Sequence, residues 1–405
     1  MIKNAKMMIL KEDKRWHMLR DEALYYLREK LIPFWNGLID KEYGGFYGYV
    51  GFDLKVDKKA VKGAILNSRI LWFYSSAYEQ LKDASLLEYA GHAFEFLKNF
   101  LWDEQKGGII WSAKYNGDAH DTLKHSYCLS FALYALSAYC RVSGDEQARL
   151  MAHSLFNLIE TVCKADKGYY EAFSKDFEPA SNEELSENGV MATRTMNTTL
   201  HILEAYTEYS KINDSIVVTD ALENVLRIFS EYIFDRKHDK LLVFFDDDFN
   251  SIIDLNSYGH DIEATWLLDK ACEVIKDQKL IKEITEFDTR VAHRIHEIAL
   301  EGCAVNNESE NGVINRDRIW WVHAESVVGF LNAYSKTGDE KFKKATDDVW
   351  EYIKEFFIDK REGSEWFSQL SPEGKPFESY AIVEPWKCPY HNGRMFIEIL
   401  KRVLE

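Results

Sequence analysis

Two kinds of helical pattern alternate along the chain. Ser68-Arg-Ile-Leu-Trp-Phe-Tyr-Ser-Ser-Ala-Tyr78 is apolar on nearly every side, whereas Leu86-Leu-Glu-Tyr-Ala-Gly-His-Ala-Phe-Glu-Phe-Leu97 gathers its charges on one side. A helix apolar all round is buried, and an amphipathic one turns its apolar stripe inward and its other face to water. The pair predicts an inner helix followed by an outer one. Turn signals such as Ser143-Gly144-Asp145 and Thr337-Gly338-Asp339 split later pairs in the same way.

The unit repeats. Each helix pair follows a short segment rich in aromatic or β-branched residues: Gly44-Gly-Phe-Tyr-Gly-Tyr49, Gly107-Gly-Ile-Ile-Trp-Ser112, Gly168-Tyr-Tyr-Glu-Ala-Phe173, Leu241-Leu-Val-Phe-Phe245, Cys303-Ala-Val-Asn-Asn307 and Glu365-Trp-Phe-Ser368. Successive segments begin 61 to 73 residues apart, a period that marks a repeat architecture. The last unit has one helix after Cys388, and a helix near residues 18–31 is left over to complete its pair. The array therefore closes on itself. The expected fold is all-α, an (α/α)6 barrel with six inner and six outer helices. It forms one catalytic domain over residues 1–405, with residues 1–15 as a peripheral extension. The repeat overrides the two or three domains that the length alone suggests.

Composition narrows the function. Hydrophobic residues make up 46% and aromatics 14%, with only 6 prolines, enough for a large helical core. The formal charge of −17 is spread along the chain. It directs away from nucleic acid and anionic membranes, towards a small neutral or cationic ligand. Cys128, Cys140, Cys163, Cys272, Cys303 and Cys388 contain no C-x-x-C pair, which fits reduced, mostly buried thiols. The N-terminus is charged too early for a secretory signal and no run of 18 apolar residues occurs. A cytoplasmic location is expected.

In a ring whose inner helices all run the same way, their N-terminal ends surround one end of the axis. The first turns contain Asn67-Ser-Arg69, His125-Ser-Tyr127, Asn197 to His201, His260-Asp-Ile-Glu263, Trp320-Trp-Val-His-Ala-Glu325 and Cys388-Pro-Tyr-His391-Asn-Gly-Arg394. Buried polar groups cost free energy unless satisfied, so polar residues at six equivalent places suggest one shared site. His260, Glu263 and Trp266 fall on one helix face, which suits a sugar. Several readings stay open. Arg69 could be the buried partner of Glu325, and His201 a satisfied core histidine. His125 and His323 are assigned to packing. Trp266, Trp321 and Trp386 fit either core or sugar platforms. Two histidines suit acid/base chemistry near neutral pH. His260, Glu263, Glu325 and His391 could instead ligate a metal, and Glu263 with Glu325 could form the carboxylate pair of a glycoside hydrolase.

Asn67-Ser-Arg-Ile-Leu-Trp-Phe73, Ser257-Tyr-Gly-His-Asp-Ile-Glu-Ala-Thr-Trp266, Trp320-Trp-Val-x-Ala-Glu325 and Trp386-Lys-Cys-Pro-Tyr-His-Asn-Gly-Arg394 resemble the cellobiose 2-epimerases of the N-acylglucosamine 2-epimerase superfamily. The resemblance runs from about residue 20 to the end. It implies an (α/α)6 barrel and reversible epimerisation at C2 of the reducing-end glucose of β-1,4-linked disaccharides, with no metal or nucleotide requirement. It implies that His391 removes the C2 proton and His260 acts as the partner acid. Arg69 and His201 match donors that hold the enediolate, and Glu263 and Glu325 match carboxylates that orient the imidazoles. Tyr127 and Asn197 match substrate contacts, with Trp321 and Trp386 as sugar-stacking rings. Trp266 is grouped with these substrate contacts. The stretch Met191-Ala-Thr-Arg194 before the third inner helix is left unmatched, and its contribution to the site stays open. An aldose–ketose isomerase of the same superfamily is the nearest alternative, and a non-catalytic sugar-binding protein a more distant one.

Overall fold

Ala64–Leu81, the first inner helix, is buried at every position from Ala64 to Ala77, as its all-round apolar pattern requires. The computed structural model describes residues 14–403. Among them are twelve helices longer than two turns. In chain order they are α1 Lys14–Tyr26, α2 Ala64–Leu81, α3 Ala84–Phe96, α4 Ser126–Ser143, α5 Glu146–Leu158 and α6 Met196–Tyr209. Then follow α7 Ile216–Ile228, α8 Tyr258–Cys272, α9 Gln278–Ile298, α10 Trp320–Thr337, α11 Glu340–Tyr352 and α12 His391–Arg402. The even-numbered helices form the inner ring, each packed on the next, and α12 returns to α2. Each inner helix carries the odd-numbered helix that follows it on its outer side, and α12 carries α1. This is the expected (α/α)6 barrel. One connected body of buried apolar residues extends from Trp16 to Val403.

Local chemistry sets the turns. Gly144 and Gly338 end α4 and α10 with φ of 72° and 70°, a left-handed conformation that glycine adopts without steric cost. Asp145 and Asp339 then cap α5 and α11 by accepting backbone N–H bonds. The outer helices are amphipathic. On α9, Leu280, Ile284, Phe287, Val291 and Ile295 make the buried stripe. Five outer helices finish in a wider π-type turn, for example Leu97–Leu101, whose first and last residues are buried. The hydrophobic spacing of such a turn resembles that of an α-helix, so the sequence pattern does not separate them.

A rim of short strands fixes the order of the units. The strand before each inner helix pairs antiparallel with the hairpin of the next unit: Lys62–Gly63 with Ser112–Ala113, Lys124–His125 with Ala172–Phe173, Arg194–Thr195 with Phe244–Phe245, Leu255–Ser257 with Glu308–Glu310, and Arg318–Ile319 with Gln369–Leu370. Val50 and Val383 close the circuit, exchanging backbone bonds of 3.0 and 3.1 Å. Most of these lead-in strands bury a basic side chain tied to a preceding turn. The Lys62 ammonium donates to Asp40 and to the Gly44 carbonyl, both at 2.6 Å. Lys124 repeats the device on Asp103 and Gly107, and Lys387 on Glu365. Arg194, from the unmatched stretch, fills the same place and donates to the Lys167 carbonyl.

Lys14 and Arg15, the last two residues of the expected extension, instead open α1, and Arg15 pairs with Asp347 and Glu351. Residues 1–13 lie outside the described residues. Five cysteines are buried and Cys303 is exposed, all as free thiols. No helix among the described residues is long and apolar enough to cross a membrane.

Removing one partner of a fully buried ion pair strands the other charge. Asp40→Ala, which strands Lys62, should lower the unfolding free energy by about 3–5 kcal/mol in urea titration. A loss within about 0.5 kcal/mol, the range of an ordinary surface substitution, would contradict this reading of the rim.

Candidate active site

Counting from the lead-in residue puts the six units in register. Seven residues after Lys62, Lys124, Arg194, Asn256, Arg318 and Lys387 stand Arg69, Phe131, His201, Glu263, Glu325 and Arg394. Four residues after Asn256 and Lys387 stand His260 and His391. The candidates identified from sequence thus occupy matching layers of one ring, near its rim.

At the centre is a group to which sequence reasoning assigned no role. The Arg394 guanidinium is 1% exposed and reaches three carboxylates from three inner helices. Its Nη1 donates to Glu204 Oε1 at 2.5 Å, and its Nη2 donates to Glu325 Oε1 at 2.7 Å and to Glu263 Oε1. Glu325 Oε1 also accepts from His391 Nδ1 at 2.8 Å, and Oε2 accepts from Trp266 Nε1 at 3.1 Å. Glu204 Oε2 accepts from His201 Nδ1 at 3.0 Å and from the Tyr390 hydroxyl at 2.5 Å. Glu204, Tyr390 and Arg394 are the residues missed. Two of them had a signal: Glu204 and Arg394 lie three residues after His201 and His391, on the same helical faces.

Arg69 has no such company. Burial leaves its guanidinium between the Phe131 and Tyr390 rings, at 4.2 and 4.6 Å from their centroids. It donates to the Tyr127 hydroxyl at 2.9 Å and to the Trp386 carbonyl at 3.2 Å. Among the described residues it pairs with no carboxylate, Glu325 included. The partner of Glu325 is Arg394.

The two leading histidines differ in setting. Glu325 accepts the Nδ1–H of His391, which leaves the Nε2 lone pair without a protein partner among the described residues. His260 Nδ1 bonds Ser257 Oγ at 2.8 Å, and Glu263 faces Arg394 rather than this imidazole. Trp321 on α10 lies between them, its ring 4.8 Å from His260 and 5.4 Å from His391. Gly259 permits that placement, because a Cβ there would fall 2.5 Å from the indole. Trp386 packs near Tyr127 and Trp111. Trp266 is 1% exposed, with Arg394 over its ring at 4.8 Å, and its indole N–H is taken up by Glu325. Asn197 Oδ1 and Glu263 Oε2 are buried acceptors without protein partners among the described residues. His125 bonds Asn182 and His323 bonds the backbone of Ile319 and Val305, as packing residues do.

Electrostatics follow from burial. Desolvation holds His391 well below the ordinary imidazole range and His260 at about 4, so both are neutral at pH 7. His201 is lowered for the same reason, against the pull of Glu204. Burial would push the Glu204 carboxyl up, but Arg394 and the His201 bond hold it well below the usual carboxylate range. In Glu325 burial prevails over Arg394 and the carboxyl stays raised. Of the four metal-ligand candidates, Glu263, Glu325 and His391 bring ligand atoms within 4.8 Å of one another. Arg394 already supplies the cation between those carboxylates.

The family model of N-acylglucosamine 2-epimerase (GlcNAc 2-epimerase) matches residues 45–392. The chain belongs to this family. It is 49% identical to a cellobiose 2-epimerase of Ruminococcus albus, across 95% of this chain and 99% of that one. The structure of a sugar epimerase from a ruminal bacterium superposes with a TM-score of 0.94 at 48% identity, covering 96% of this chain and all of the other. The cellobiose 2-epimerase of Bacillus thermoamylovorans gives 0.93 at 42%, with the same coverage. The protein is accordingly an epimerase, an enzyme of the isomerase class.

The lowered His260 has a measurable consequence. Its folded pKa lies below the unfolded value of about 6.5, so its contribution to stability is full above pH 6.5 and is lost as pH falls towards about 4. Across that window His260→Asn should remove about one proton from the slope of unfolding free energy against pH. Identical slopes in the two proteins would contradict a neutral, buried His260.

Proposed function

We propose that the protein interconverts the glucose and mannose configurations at C2 of the reducing-end sugar of β-1,4-linked disaccharides. Cellobiose is the leading substrate, with lactose and mannobiose also accepted. Relatives at 49% and 46% identity bear the name cellobiose 2-epimerase. The observation that carries the chemistry is Arg69. A buried guanidinium without a carboxylate is costly, and the cost is repaid when negative charge develops beside it.

After the sugar ring opens, Nε2 of His391 takes the C2 proton. The electrons of the C–H bond become the C1–C2 double bond, and the carbonyl electrons move onto O1. Arg69 and His201 hold the resulting enediolate. Its negative charge raises the proton affinity of His260, which takes up a proton from solvent and delivers it to the opposite face of C2. The double-bond electrons form the new C–H bond, the O1 electrons restore the carbonyl, and His391 releases its proton to solvent. Glu325 keeps His391 in the tautomer with a free Nε2, as carboxylates do for metal-bound imidazoles. In this reading Tyr127, Asn197 and Glu263 bond sugar hydroxyls, supported by Asn197 Oδ1 and Glu263 Oε2 having no protein partner among the described residues, and Trp321 and Trp386 cover sugar faces. No partner other than the disaccharide enters this scheme.

A hydrolase would need one carboxyl free to protonate a leaving group. Glu263 and Glu325 both answer to Arg394, which disfavours that reading.

The two histidine roles separate in D2O. His260→Asn should exchange the C2 proton of cellobiose for deuterium without forming the mannose epimer, and His391→Asn should lose that exchange. Exchange that survives in His391→Asn would overturn the assignment. Arg69→Ala should lower kcat roughly 100- to 1,000-fold, as loss of an oxyanion donor does; an unchanged kcat would remove Arg69 from the mechanism.

A further inference from the structure

Arg394 has a place that substrate contact does not explain. It lies behind the histidines, over the Trp266 and Tyr390 rings, and two of its three carboxylates grip an imidazole with an oxygen. Glu325 Oε1 accepts from both Arg394 Nη2 and His391 Nδ1. Glu204 divides its oxygens, Oε1 to Arg394 and Oε2 to His201. A single cation therefore joins two carboxylate–imidazole pairs that start from α6, α10 and α12.

We propose that Arg394 is a positioning residue that binds the Glu325–His391 and Glu204–His201 pairs into one electrostatic unit and limits how strongly Glu325 draws a proton onto His391. The proposal rests on the reading of His391 as the base.

A carboxylate hydrogen-bonded to an imidazole favours the imidazolium, and an imidazolium cannot take the C2 proton. Because Arg394 donates to the same Glu325 oxygen that His391 uses, its charge offsets that pull. The other charged and titratable groups around His391 are few. On its own side are Tyr390 and Cys388. From α2 comes Arg69, from α4 Tyr127, from α6 His201 and Glu204, from α8 His260 and Glu263, and from α10 Glu325. Arg69 and Arg394 oppose three carboxylates there, so deleting either cation enlarges the excess of carboxylates from one to two. Arg394 also stands at the position in its unit that Arg69 holds in the first. The two arginines divide the work: one matched by carboxylates, the other left for the substrate.

The test is the pH profile of kcat/KM for cellobiose. Arg394→Gln should move the acid limb to higher pH by about one unit or more and lower kcat 10- to 100-fold, the usual cost of losing such a supporting contact. Arg394→Lys should restore part of kcat and most of the limb position. Glu204→Gln is the second variant, a near-isosteric change that leaves every direct contact of His391 in place. It removes a negative charge from the unit and should move the limb the opposite way, to lower pH. Limbs that coincide with wild type in Glu204→Gln and in whichever Arg394 variant folds would overturn the proposal, whatever the loss in kcat. Should His391→Asn retain C2 exchange, the reading of the base fails first; should it lose exchange while the limbs stay fixed, only the role of Arg394 fails.

Discussion

A guanidinium buried inside a ring of helices has to be matched by charge, and Arg394 is matched by Glu204, Glu263 and Glu325 from three neighbouring inner helices. Taking such charges out of water costs several kcal/mol per ion, and the cost is recovered only when geometry and hydrogen bonding are good. The constraint reaches through the whole barrel. α6, α8, α10 and α12 must begin at one level, and the rim segments before them, most with a buried basic side chain, set that level unit by unit. The Val50–Val383 pairing closes the circuit so that the α12 layer returns to α2. A slip of one turn in any inner helix would carry a carboxylate about 5.4 Å along the axis and out of reach of Arg394.

The same layer carries a second arginine under the opposite condition. Arg69 is buried between aromatic rings with neutral donors and acceptors as its only company. Arg394 is matched by three carboxylates, and Arg69 by none among the described residues. Two neutral imidazoles on either side of Trp321 complete an arrangement suited to moving one proton off a carbon and another onto its opposite face. Low dielectric strengthens each of these interactions, and burial is what keeps His260 and His391 unprotonated at neutral pH.

The ring was legible because its signal is long-range and redundant: six similar units, each alternating an all-apolar helix with an amphipathic one. Turn residues such as Gly144-Asp145 and Gly338-Asp339 marked the joints for a local physical reason. The site was partly legible, since His260, Glu263, Glu325 and His391 are polar where the core pattern expects apolar residues. What stayed hidden were pairings between units. Nothing in the sequence tells that Glu325 belongs to Arg394 and not to Arg69, because helix spacing orders residues within a unit and only the ring brings units together. Glu204 passed as one more residue of a buried helix. The partners of Trp266 were hidden for a related reason: it shares a helix face with His260 and Glu263, yet its contacts are Glu325 and Arg394 from other units. Alignment on the lead-in residues, basic in five units and Asn256 in the other, would have shown the layers, because Arg69, His201, Glu263, Glu325 and Arg394 all follow them by seven residues.

The most direct measurement is proton NMR of cellobiose incubated with the wild-type protein in D2O after treatment with a chelator. Transfer between two imidazoles across an enediolate predicts that glucosyl-mannose formed in the first turnovers carries deuterium at C2. A product that keeps the original C2 proton would contradict that account, as would a ketose or free glucose in its place.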